Sequence, residues 1–298
     1  MSNILGTLSE NLAATVEQAG PSIVRVDARS RLPASGVVWS ADGIIVTASH
    51  VVERDESITI GLPNGESAPA SLAGRDPTTD IAVLRAQASG LAKGTWGEHT
   101  TLRVGHIVLA LGRPGRTVQA TIGVVSALSD AWRTAAGGRI DRYIQTDVTM
   151  YPGFSGGPLV NGAGQFAGLN STALARGAPV AIPHATISRV VEAILTHGRV
   201  KRGYLGVGTY PVRLQGALAQ QVKQETGLLI NSVEPGSPAD NGGVLLGDII
   251  VALDKQPVRF PNELLASLGG ERVGKASQIT VVRGGQVREL SVVVGERT

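Results

Sequence analysis

Residues 151–161 read Tyr-Pro-Gly-Phe-Ser-Gly-Gly-Pro-Leu-Val-Asn. Ser155 sits in this run among three glycines and two prolines. Core packing gives no reason for so much backbone freedom around one hydroxyl, but nucleophilic chemistry does. Such an Oγ must stand clear of the fold, and nearby backbone N–H groups must face the oxygen that turns negative during acyl transfer. Glycine removes the Cβ that blocks a turn of this kind. Glycine-rich serine runs are also common in ordinary turns, so the run alone leaves both readings open.

Two upstream segments favour the nucleophile. Residues 44–52 read Ile-Ile-Val-Thr-Ala-Ser-His-Val-Val, an apolar strand ending on His50. Residues 76–84 read Asp-Pro-Thr-Thr-Asp-Ile-Ala-Val-Leu, with Asp80 at the mouth of another apolar strand. Singly, His50 could be a satisfied core or surface histidine and Asp80 a turn-former. Together the order His50, Asp80, Ser155 is the one that a serine triad takes on the double β-barrel of chymotrypsin-like proteases. In that reading Ser155 attacks a carbonyl, His50 takes and returns the proton, and Asp80 orients the imidazole. The expected oxyanion donors are the backbone N–H groups of Gly153, Phe154 and Ser155.

Two other motifs fail on context. Gly153-Phe154-Ser155-Gly156-Gly157 fits the G-x-S-x-G nucleophile elbow, which needs a helix next and an acid and then a histidine downstream. Here residues 159–168 read as a hairpin with an Asn161-Gly162 turn. Glu192 is the only acid between Ser155 and His197. The stretch Gly269 to Ala276 is one residue short of a P-loop; Ala276 lacks the magnesium-binding hydroxyl, and a strand follows instead of a helix. No metal cluster or cofactor motif is expected.

Composition narrows the class further. The chain has 298 residues, enough for about two domains. Its 39 glycines are nearly twice the usual share of about 7% and point to short strands and tight turns. The net charge is only +3, with no basic stripe, so no nucleic-acid partner is expected. No run approaches the roughly 20 apolar residues of a membrane span. The chain has no cysteine, so no disulfide staples it. The N-terminus carries neither a basic segment nor a long apolar one. A cytoplasmic protein is expected from the sequence as written, or a periplasmic or extracellular one if an export signal has been removed.

Along the chain, residues 1–20 hold an expected helix over 4–19, from the helical spacing of Ile4, Leu5, Leu8, Leu12, Ala13 and Val16. Two strand-rich sets follow, ending in a helix over 185–197. His50 and Asp80 belong to the first set and Ser155 to the second. Residues 198–203 read as a cationic linker. From Tyr204 a small module of short strands and two short helices runs to 298, one helix starting at Ser237-Pro238 and another covering 262–268. The expected fold is mainly β: a double β-barrel with an N-terminal helix over 21–197, then a small α/β domain over 204–298.

The stretches Gly43 to Val52, Asp76 to Leu84 and Gln145 to Asn161, with the C-terminal module, resemble the HtrA (Deg) family of serine proteases over residues 20–297. The resemblance implies a chymotrypsin-like protease domain followed by one PDZ domain, acting on unfolded or damaged proteins. It also implies that the PDZ module takes a peptide C-terminus as an added strand. Tyr204, Leu205, Gly206 and Val207 would form the carboxylate loop, with Leu264, Leu265 and Leu268 lining the groove or packing the core. The specificity pocket is expected around Thr149, Asn170, Ser171 and Thr172, within the segment 170–182. With Thr149 where a trypsin-like pocket needs a carboxylate, cleavage after small or medium aliphatic residues is expected. The chain departs from the family at Phe154, where Asn is usual; its ring is expected either to rest against substrate or to hold the loop in an inactive turn. A homo-trimer is implied, although residues 1–20 lack the aromatic side chains that join the family's trimer. The competing reading is a peptide-binding chaperone or scaffold whose protease domain is silent.

Overall fold

Helix α1 (Ile4–Ala19) opens the chain, its first turn capped by the Asn3 side chain on the Gly6 N–H. It ends in a tight turn at Gly20-Pro21-Ser22, because proline cannot extend a helix from within. Leu12, Val16 and Ala19 pack inward, whereas Ile4 and Leu5 remain exposed. The computed structural model describes residues 3–97, 101–175 and 178–297. The first two residues of the segment 1–20, positions 176 and 177 of the expected pocket border, and Thr298 lie outside the described residues.

Six strands close the first barrel: β1 (Ile23–Asp27), β2 (Ala34–Val38), β3 (Ile44–Ala48), β4 (Ile58–Gly61), β5 (Ser67–Asp76) and β6 (Ile81–Ala86), in the order β1-β2-β3-β6-β5-β4. β2 and β3 are buried at every residue, which fits their mostly apolar sequences; the exceptions, Ser35 and Thr47, are buried polar residues. The barrel interior is aliphatic, from Val24, Val26, Val38, Ile45, Ile58, Ile60 and Leu84.

The second barrel comprises β7 (Ile107–Gly112), β8 (Gln119–Ser129), β11 (Tyr143–Thr146), β12 (Pro158–Asn161), β13 (Phe166–Ser171) and β14 (Val180–Pro183), ordered β11-β14-β13-β12-β7-β8. A two-stranded ribbon, β9 (Trp132–Arg133) and β10 (Arg139–Ile140), hangs from it. Helix α2 (His184–His197) follows and stops at Gly198 in the left-handed conformation, a glycine cap. One continuous core, including Ile23, Val46, Leu111, Leu169, Ile187 and Val190, joins both barrels to α2.

The chain divides into two compact units, Met1–Val200 and Lys201–Thr298. In the second, β15 (Gly203–Tyr204) pairs with the last strand, β22 (Gly295–Glu296). Its main sheet runs β16 (Val207–Arg213), β17 (Thr226–Val233), β18 (Ile249–Leu253), β20 (Ala276–Arg283), β21 (Gln286–Val293), with β19 (Gln256–Pro257) attached to β18. Helices α3 (Gly216–Val222), α4 (Pro238–Asn241) and α5 (Pro261–Ser267) complete it. Ser237 caps α4 by accepting from the Asp240 N–H, with Pro238 at the first helical position. β20 follows the glycine-rich stretch at 269–274, as the absence of a P-loop requires. Helix α3 was not expected; it is two turns long and packs Leu218, Ala219 and Val222 beside Leu214, Val251 and Val282.

Candidate active site

β3 carries the chain to a single turn of 3-10 helix, Ser49–Val51, which holds His50. β3 pairs with β6 in a register that sets Ala48 opposite Ile81, so His50 and Asp80 emerge side by side. Asp76 builds the turn before Asp80. Its Oδ1 accepts from the Thr78 N–H and hydroxyl, and its Oδ2 from the Thr79 hydroxyl. Asp80 closes that turn with φ +57°, a left-handed conformation that aspartate tolerates better than most residues.

The Asp80 carboxylate is buried and surrounded by donors. The His50 ring Nδ1–H lies 2.8 Å from Oδ2 and 3.0 Å from Oδ1. The His50 backbone N–H donates to Oδ1 at 2.9 Å, and the Ser171 hydroxyl donates to Oδ2 at 2.6 Å. The Asp80 carbonyl accepts from the Ser49 N–H at 3.0 Å. With Nδ1–H turned to a carboxylate, Nε2 is left as the unprotonated nitrogen of a partly exposed imidazole.

Ser155 lies at the start of a turn between β11 and β12. Gly153 (φ +91°) and Gly156 (φ +84°) give that turn its shape. A Cβ at Gly156 would stand 2.2 Å from the Ser35 carbonyl oxygen, so no other residue fits there. The Gly156 N–H donates to the Asn170 carbonyl at 2.9 Å and the Asn170 N–H returns a bond to the Gly157 carbonyl at 2.8 Å, tying the turn to β13. The Ser155 hydroxyl shares a 3.2 Å hydrogen bond with the Thr172 hydroxyl. Among the described residues no hydrogen bond joins the Ser155 hydroxyl to His50. Ser171 and Thr172, consecutive at the end of β13, therefore touch Asp80 and Ser155 respectively.

The three expected oxyanion residues differ. The Phe154 N–H donates to the Tyr151 carbonyl at 3.0 Å and is not free to meet a ligand. The N–H groups of Gly153 and Ser155 have no acceptor among the described residues. The Phe154 ring is 0% exposed. It fills the second barrel with Val108, Ile144, Val148 and Leu159, and Tyr151 meets its ring edge-on at 5.7 Å. So the ring is buried in the barrel core, where it anchors the turn that carries Ser155.

Of the expected pocket residues, Thr149 and Thr172 are exposed, and the Thr149 carbonyl accepts from the Thr121 hydroxyl at 2.8 Å. Asn170 and Ser171 are buried. Asn170 donates its amide to the Pro158 carbonyl at 2.8 Å, and Ser171 is turned to Asp80, so neither side chain presents itself to a pocket.

In the second unit, β16 is an end strand of its sheet, with β17 on one side only. Leu205 to Val207 lead into it. The Leu205 and Gly206 carbonyls accept from Ala239 and Glu234 N–H groups, while the N–H groups of Leu205 and Gly206 have no acceptor among the described residues. The Tyr204 hydroxyl donates to Glu234, and that bond holds the phenol above its ordinary range by favouring the protonated form. On and just after α5, Leu264 and Leu268 are buried in the module's core, whereas Leu265 is 39% exposed.

Two six-stranded barrels carrying a paired His50 and Asp80 near a glycine-framed Ser155, followed by a module with an open strand edge, define a trypsin-like domain joined to a PDZ domain. The trypsin-like peptidase domain model matches residues 34–169 and the PDZ domain model matches residues 203–294. The chain belongs to the HtrA/Deg family of serine proteases. It is 33% identical over 272 residues to the serine endoprotease DegS of Haemophilus influenzae, covering 88% of this chain and 76% of that protein. It is 36% identical over 267 residues to "Probable periplasmic serine endoprotease DegP-like" of Ectopseudomonas mendocina, covering 88% of this chain. It spans only 56% of that relative's length. Among solved structures, the HtrA-type protease AlgW with decapeptide superposes with a TM-score of 0.77 at 30% identity, covering 96% of this chain and 98% of that one. A serine endoprotease from Yersinia pestis gives 0.77 at 31% identity, covering 96% and 98%. Among the described residues no helix is long and apolar enough to cross a membrane.

Proposed function

We propose that the chain is an HtrA-type serine endopeptidase acting on unfolded or damaged proteins through His50, Asp80 and Ser155. The observation that carries this reading is the Asp80 carboxylate, buried and holding His50 Nδ1 at 2.8 Å beside the Ser155 turn. Asp80 fixes the tautomer, so that Nε2 is free to take the Ser155 proton as Oγ attacks the scissile carbonyl. The same proton then passes to the leaving amine, and water completes hydrolysis of the acyl-enzyme by the reverse geometry. Gly153 and Ser155 N–H groups stabilise the oxyanion; a donor of this kind is worth about 10²–10³ in kcat. Thr149 leaves the specificity pocket without a carboxylate, which favours cleavage after aliphatic residues. The protease and PDZ modules are assigned to residues 21–197 and 204–298.

Labelling with a fluorophosphonate and digestion of casein test the reading. Wild type is expected to label and digest, and Ser155→Ala to do neither, with a loss of roughly 10⁶ in kcat. Equal digestion by both forms removes Ser155 from the chemistry.

One observation favours a second reading. The Ser155 hydroxyl is bonded to Thr172 and not to His50, as a silent scaffold would also have it. An unlabelled wild type that still binds peptides supports that alternative. For the PDZ module, a peptide C-terminus adds to the open edge of β16, its carboxylate held by the Leu205, Gly206 and Val207 N–H groups and a side chain set against Leu265. Fluorescence polarisation with a free-acid peptide and its amidated twin checks this; equal affinity for the two excludes carboxylate capture. The periplasmic naming of the DegP-like relatives favours the exported setting over the cytoplasmic one for this chain.

A further inference from the structure

Ser35 lies in β2 of the first barrel and is fully buried. Ser35 stands opposite Arg25 of β1, but β2 pairs with β3 only at Val37 and Val38, so on that side Ser35 meets no strand partner. Its hydroxyl donates to the Gly153 carbonyl at 2.6 Å and accepts from the Arg113 N–H at 2.7 Å. Its backbone N–H donates to the Ser155 carbonyl at 3.3 Å. Its carbonyl in turn accepts from the Thr47 hydroxyl at 2.7 Å. One residue of the first barrel thus holds the carbonyl of the nucleophile and the carbonyl two residues before it.

We infer that Ser35 is a positioning residue that sets the direction of the Ser155 N–H, one of the two oxyanion donors, an inference that rests on the nucleophile reading of Ser155. A trans peptide unit is planar, so its carbonyl and N–H point opposite ways. Holding the Gly153 carbonyl turns the Phe154 N–H back to Tyr151, and holding the Ser155 carbonyl turns the Gly156 N–H to Asn170. The unit between them bears the Ser155 N–H, and its Phe154 carbonyl accepts from Gly157 at 2.9 Å. With both flanking units fixed, that N–H has one direction. Gly153 most needs such a restraint, because glycine at φ +91° has wide torsional freedom of its own. The anchor is firm: Arg113 donates its guanidinium to the Arg116 carbonyl at 2.8 Å and to the Gly20 carbonyl at 2.9 Å.

The test uses the full chain with a fluorophosphonate. Its phosphorus bonds to Ser155 Oγ, fluoride leaves, His50 takes the proton, and the phosphonyl oxygen occupies the oxyanion position. Ser35→Ala, and Ser35→Cys with similar shape but a weak donor, are each expected to lower kinact tenfold or more while KI stays within twofold. Ser35→Thr, which keeps the hydroxyl, is expected to return to within threefold of wild type. Hydrogen exchange is expected to quicken at residues 152–157 in the Ala and Cys variants and to stay unchanged in β3. A kinact within twofold of wild type in both overturns the inference. So does exchange that quickens throughout both barrels with no excess at 152–157, which marks ordinary packing. A wild type that resists labelling, while Ser35→Ala still frees the 152–157 turn, sinks the enzymatic reading and upholds the restraint on the turn.

Discussion

A buried carboxylate needs hydrogen-bond donors in place of the water it has lost. Asp80 has that arrangement from His50 Nδ1, the His50 N–H and the Ser171 hydroxyl. Asp80→Asn is therefore expected to keep the fold but present the wrong tautomer of His50, with a loss of about 10⁴ in kcat. Casein digestion beside a thermal melt checks it; a large fall in Tm with proportionate loss of activity would point to structure instead. Thr172→Val removes the competing partner of the Ser155 hydroxyl. Faster fluorophosphonate labelling is expected, and slower labelling would show that the threonine assists. Phe154 acts on the same turn from behind. Phe154→Ala leaves a cavity in the second barrel and is expected to cost about 3–5 kcal/mol in denaturant unfolding. His50, Asp80 and Ser155 could be singled out as candidates from the sequence because each carries its own flanks. Ser35 could not, and Ser171 was read only as a pocket residue, since their partners Gly153 and Asp80 stand 118 and 91 residues away and nothing local marks those bonds.

At the scale of elements, the strands and longer helices followed their periodicity, whereas turn chemistry was harder to read. The expected Asn161-Gly162 hairpin forms, yet the left-handed residue is Gly164 (φ +76°). Asn161 contributes through its side chain, which accepts from the Ala163 and Gln165 N–H groups, both at 3.0 Å. Helix α3 was missed because two turns held by tertiary packing leave too weak a period. The junction of β18 and β20 offers a sharper test. Arg283 donates to both oxygens of buried Asp248 at 2.7 Å, and the Leu245 N–H adds a third bond. Burial alone would raise the Asp248 carboxyl, but the Arg283 and Leu245 bonds outweigh it and hold it below the ordinary range. Because the folded pKa lies below the unfolded one, the stabilisation is complete above the ordinary carboxylate pKa of about 3.9. It is lost as pH falls below that value through the folded one. Asp248→Asn is expected to cost about 3 kcal/mol or less near neutrality and to flatten this acid limb. A limb of unchanged steepness in chemical unfolding between about pH 5 and 2 counts against the pair.

For the whole molecule, the two units have separate cores, one linking both barrels to α2 and the other confined to residues after 200. Two calorimetric transitions are expected, with Phe154→Ala lowering one and Asp248→Asn the other; a single transition moved by both variants would contradict this. By itself the sequence determined the mainly β class, the order of the three candidate residues and the change to a second module near residue 200. It could do so because periodicity, turn residues and motif order are written locally. The tertiary structure alone decided which side chains meet. It turned Ser171 to Asp80 instead of a pocket, sank Phe154 into the barrel and aimed Ser35 of one barrel at the carbonyls of the other. Those outcomes depend on strand register and barrel closure, which bring together groups that no local pattern relates.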